Sequence, residues 1–186
     1  MPEEPIPEEL MPEEPIPEEP IPEEPMLESH RRLARLGRGE YGLLRQLADD
    51  GLVDLEPIEA LLNQSVTDRL NLARQYLAFA QSIALDSEFH GRQVISRSYY
   101  AMHHAARALI LHTTRQDVTS HEGVIRQIRR HLGAPEADSL ANCLNLRNSV
   151  EYEVYPRMNV IVLAQEASNA AEEFIVACEA HLVGRE

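Results

Sequence analysis

The chain has 186 residues, of which 31 are acidic and 17 basic, giving a net charge of −14. That length accommodates one ordinary domain with a tail, and no apolar run approaches the ~18 residues that a membrane span requires, so a soluble, cytoplasmic protein is expected. Eleven glutamates and no basic residue fall in 1–30, so 31 − 11 = 20 acids face 17 arginines from Arg31 onward, about −3 for the body; the acidic total therefore does not exclude RNA as a partner.

Residues 1–26 repeat with a period of five as Pro-Glu-Glu-Pro-Ile and close variants, and hold nine of the twelve prolines. Proline removes backbone donors and fixes φ, while neighbouring glutamates repel one another. The repeat predicts a disordered, extended, solvated tail over 1–30. Residues 31–64 form a short helical preface. In it Tyr41, Leu43, Leu44 and Leu47 share a face, Gly51 ends the helix, and Pro57 to Leu62 starts another. Arg31, Arg32, Arg35 and Arg38 cluster at its start, either as a solvated face, a partner for the acidic tail, or a basic helix touching RNA.

The bundle proper is expected over 65–186. Ser65 and Asp68 have the S-x-x-D spacing of a helix start. Beyond them Val66, Leu70, Ala73, Leu77, Ala80 and Ala84 make one stripe, and Leu72, Tyr76, Phe79 and Ile83 a second, so this helix is expected to be buried on two sides. Further helices are predicted at about Gly91–His112, His121–Leu132, Asp138–Glu151 and, capped by Asn159, from beyond Pro156 to Leu182. Leu163, Ala167, Ala170, Phe174 and Cys178 point inward on the last. No strand pair is predicted. The fold class is all-α, an antiparallel bundle of four to five helices closely packed on alanine stripes. Cys143 and Cys178 lie in apolar helical surroundings without C-x-x-C spacing, as reduced, buried thiols would.

Three stretches carry a resemblance to a known family. Val94-Ile-Ser-Arg-Ser-Tyr-Tyr-Ala-Met-His-His-Ala-Ala-Arg-Ala-Leu-Ile110 closely resembles the second helix of HEPN domains, which commonly read S-R-x-Y-Y-A-x-x-H-A-A-R-A-L there. Ser120-His-Glu-Gly-Val124 is similar to the family's S-H-x-G-V helix start, and Leu146-Arg-Asn-Ser-Val-Glu-Tyr152 to its L-R-x-x-A-D-Y segment. Order and spacing match over about residues 65–183. The resemblance implies a helical bundle that is frequently a homodimer. Many members are metal-independent ribonucleases, often toxins paired with a minimal nucleotidyltransferase. The resemblance therefore implies the toxin-like half of such a toxin–antitoxin or defence pair, acting on or beside RNA and regulated by the nucleotidyltransferase. The alternative is an inactive bundle serving as an interaction module or antitoxin. No cofactor or metal is implied.

Active members use an Arg-polar-x-x-x-His motif. Arg147 and Asn148 match its first two positions, but Tyr152 stands where the histidine should be. The substitution matters chemically. A guanidinium clamps phosphate in a fork, whereas proton transfer suits a group titrating near neutrality. An unperturbed tyrosine is ionised in only about one molecule in a thousand at pH 7. Residues five apart on a straight helix also lie about 140° apart, so Arg147 and Tyr152 converge only if the helix unwinds. The alternatives are a phosphate-facing Arg147 and an Arg147 paired with Glu151 at i,i+4.

The family's tyrosine for adenylate attachment would fall at Val154. Tyr155, held extended by Pro156, is the nearest substitute and the expected adenylylation residue. His103 and His104 point about 100° apart on a helix, so one is expected to be a packing residue. The scattered histidines do not suggest a zinc site. Tyr99 and Tyr100 are expected in the core and at a dimer interface formed by the second and fourth bundle helices.

Overall fold

The computed structural model describes residues 28, 31–33, 35–153 and 158–184. Except for Glu28, the expected disordered tail lies outside the described residues. So do Val154, Tyr155 and Pro156, and with them the expected adenylylation position.

All regular structure among the described residues is helical. A helical turn at 31–33 precedes α1 (Arg38–Asp49), α2 (Glu56–Ser82), α3 (Glu88–Thr114), α4 (His121–His131), α5 (Ala134–Tyr152) and α6 (Val160–Val183). The all-α bundle expected from the periodicity is what the chain forms. α3 is the central rod: α2 and α6 pack along its length, and α4 and α5 cover another side. The short connection at 83–87 sets α2 and α3 antiparallel. Ala101, Ala105, Ala106 and Ala108 of α3 are wholly buried, and their small side chains let neighbouring helices approach closely. Gly91 marks the tightest approach, because a Cβ there would lie 2.9 Å from Val160 Cγ1 on α6.

Several ends follow their local chemistry. Gly51, at φ +71°, closes α1 as expected. Ser120 Oγ accepts from Gly123 N at 3.3 Å, and Asn159 Oδ1 from Val162 N at 3.3 Å. Two starts need correction. α2 begins at Glu56 with Pro57 in its first turn and runs unbroken through Ser65, so the S-x-x-D spacing is not a cap. Ser65 Oγ instead donates to the Leu61 carbonyl at 3.0 Å, one turn back. α5 begins at Ala134, not Asp138, because Pro135 sits in the first turn, where its missing N–H goes unused.

The helix is continuous across residue 64 because the apolar pattern is continuous. Leu62 and Val66 join Leu36, Ala108 and Leu111 in a second small core, against which Leu33, Tyr41, Leu44 and Ile58 of the preface pack. The second stripe of α2 is only half covered: Tyr76 and Ile83 pack against the main core, whereas Phe79 is 53% and Leu72 37% exposed. Neighbouring helices reach Tyr76 and Ile83 and leave Leu72 and Phe79 at the open edge.

Candidate functional site

The two longest stretches of the resemblance meet in space. Arg147, on the penultimate turn of α5, keeps its side chain only 17% exposed, with Nη2 2.6 Å from Glu151 Oε2. The same nitrogen donates to Tyr100 Oη of α3 at 3.2 Å, and the guanidinium carbon stands 5.4 Å from the Tyr100 ring centroid. Nη1 donates to Asn148 Oδ1 at 3.3 Å. Glu151 is held from its other oxygen as well, where Oε1 accepts from Ser96 Oγ at 2.8 Å. Arginine, carboxylate and hydroxyl thus form one chain across the α3–α5 seam.

Arg92 fixes the end of α5. Its Nη1 donates to the carbonyls of Val150 and Glu153, and its Nη2 to Glu88 Oε1 at 2.7 Å. A cation at a helix C-terminus satisfies exposed carbonyls and complements the helix dipole. The helix therefore holds through Tyr152, and no unwinding brings Tyr152 round to Arg147. Tyr152 is 78% exposed and lines an open groove of about 470 Å³ with Phe89, Gln93 and Val150. The expected Arg147, Asn148 and Tyr152 are thus neighbours in sequence, but only the first two touch.

Behind Tyr100 lies a ladder of rings. Tyr76 stands 5.7 Å from Tyr100 and stacks on His104 at 5.4 Å. Tyr99, wholly buried, places its hydroxyl 2.5 Å from His121 Nδ1 and 3.5 Å from His103 Nδ1. Burial, reinforced by His121 and Arg107, pushes the His103 imidazole down to about 3. Burial and then Arg107 and Arg69 push His104 down to about 4. His103 and His104 are both packing residues, neutral at physiological pH, where sequence spacing allowed for one. Burial also pushes the Cys143 thiol up to about 12, and both cysteines are free and buried.

A buried ion triad lies at the other end of α3. Asp117, in the α3–α4 loop with its side chain 2% exposed, receives Arg107 Nη2 at 2.6 Å and Arg69 Nη1 at 3.0 Å. Its backbone N donates to the Leu36 carbonyl at 3.1 Å. Nothing in the spacing of residues 69, 107 and 117 signals this triad, and the same is true of Arg92 at the end of α5.

Among the described residues, no group of three or more histidine, cysteine, aspartate or glutamate side chains could hold a metal. Among those residues, too, no helix is long and apolar enough to cross a membrane. No protein-family model matches the chain, and no curated protein matches it in sequence.

Proposed function

We propose that the chain is a HEPN-type bundle that works beside RNA without cutting it, as an interaction module or antitoxin-like partner. In this reading its counterpart is a minimal nucleotidyltransferase, and the bundle itself is a homodimer. The family assignment is supported by the way α3 and the end of α5, which carry the two longest resembling stretches, join through Tyr100, Ser96, Arg147 and Glu151.

The carrying observation for the absence of cleavage is the state of Arg147. Its charge is already met by Glu151 and Tyr100, so a phosphate would have to displace a carboxylate 2.6 Å away. Among the described residues, the side chains that meet Arg147 are Glu151, Tyr100 and Asn148, none of them a histidine. Tyr152 faces the groove, and His103 and His104 are neutral and spent on ring packing. A clamp already occupied by a carboxylate and lacking a proton-transfer partner is poorly equipped to cleave.

The test is incubation of the full chain with fluorescent single-stranded RNA in chelator, followed by gel analysis, with Arg147→Ala as control. No fragments are expected from either protein. Cleavage by the parent chain that disappears in Arg147→Ala would reinstate the toxin-like ribonuclease reading.

A further inference from the structure

α5 and α6 touch only lightly, and the seam between them is open. Two cavities of about 160 and 360 Å³ lie along it and share Ser139 and Ala170, so they form one continuous groove. On α5 the lining residues are Pro135, Ser139, Asn142 and Leu146, spaced by four, three and four. On α6, Leu163, Ala170 and Ala177 recur every seven residues, with Glu166 and Glu173 in a parallel row beside them. Steps of three and four on both walls are the pattern with which two helices receive a third. From Pro135 to Leu146 the wall is roughly 16 Å long, about three helical turns.

The floor is apolar and closely packed: Cys143, Ala167 and Phe174 are nearly fully buried. The alanines and Ser139 leave room for a backbone to come near. The rim is charged with one sign. Glu136, Glu166 and Glu173 line the groove, and among the described residues no arginine or histidine does. Glu136 Oε2 is itself buried and accepts no hydrogen bond.

We propose that this groove docks an amphipathic helix of a partner protein, its apolar stripe on Leu146, Leu163 and Phe174 and its flanking arginines or lysines on Glu136, Glu166 and Glu173. Helix-in-groove docking of this kind draws affinity from apolar anchors and orientation from the charged rim. The groove lies on a different seam from Arg147. RNA cleavage by the chain would overturn the function proposed above and leave this inference standing.

The test uses the full chain and a synthetic helix of about 18 residues, leucine and alanine on one face and lysine on the other. A counterpart carries glutamate for lysine. Fluorescence anisotropy at physiological salt reads binding. The basic helix is expected to bind, and the acidic one to bind at least about tenfold more weakly. Ala170→Arg should weaken the basic helix by a similar factor, with circular dichroism unchanged. The double variant Glu166→Gln with Glu173→Gln, both exposed, covers the case in which Ala170→Arg fails to fold, and should produce the same loss. Equal affinity for both helices, or no effect of the double variant, overturns the proposal. So does loss of binding only when the glutamates of residues 1–26 are changed to glutamine, which would make the repeat the true binder. Self-association abolished by the double variant would assign the groove to a second copy and equally overturn it.

Discussion

Glu151 Oε2 sits 2.6 Å from Nη2 of Arg147, one helical turn away, and Ser96 of the neighbouring helix holds the same carboxylate from its other side. Because both charged groups are partly solvated, the pair contributes modestly to stability, while governing whether Arg147 can meet any other anion.

Glu151→Gln should therefore lower stability by only about 0.5–1 kcal/mol, in the range of partly screened ion pairs. The same variant should bind single-stranded RNA more tightly than the parent, since Arg147 is released. Urea denaturation and fluorescence anisotropy measure the two effects. Unchanged RNA affinity would show that Arg147 is not what limits RNA contact.

Tyr152→His installs the histidine of the HEPN motif without installing a geometry in which it meets Arg147. With α5 helical through residue 152 and the two side chains about 140° apart, the variant should remain inactive in the RNA gel assay. Arg147-dependent cleavage by Tyr152→His would mean that the end of α5 opens in solution.

His103 and His104 make stability depend on pH. Their folded values of about 3 for His103 and about 4 for His104 lie below the ordinary 6.5. Between about pH 6.5 and these values the unfolded chain binds protons that the folded chain refuses, so stability falls as pH falls through that window. Urea midpoints should drop from pH 7 to pH 4.5, and His103→Gln should show a shallower drop. Parallel profiles for the two proteins would assign the acid sensitivity to carboxylates alone.

Asp117→Asn leaves two largely buried guanidinium groups facing an amide. Breaking such a network from one side costs about 3–5 kcal/mol, and the midpoint of urea denaturation should report it. A loss below about 1 kcal/mol would indicate that water enters to solvate Arg69 and Arg107.

Local rules recovered much of this molecule. Ser120, Asn159 and Gly51 mark helix ends because capping depends on a residue's immediate neighbours, and the i,i+4 spacing of Arg147 and Glu151 put their pairing among the alternatives. Misreadings arose where one local signal has two meanings. Pro135 can stop a helix or open one, and Ser65 can cap a helix or bond back to its own turn. The exposure of Phe79 and Leu72 escaped detection because periodicity tells which residues share a face, not whether a neighbour covers it. The Asp117 triad and the hold of Arg92 on α5 join residues far apart in sequence. Their partners are chosen by packing, for which a linear pattern contains no sign.

The loop that holds Asp117 also grips the Leu36 carbonyl through its own backbone. The chain entering from the N-terminus is thus moored to the point where three buried charges meet. Tension applied along that entering strand would be transmitted to the Arg69–Asp117–Arg107 knot before it reached the alanine-lined centre of the bundle. Whatever pulls on the front of this protein pulls first on its least forgiving electrostatics.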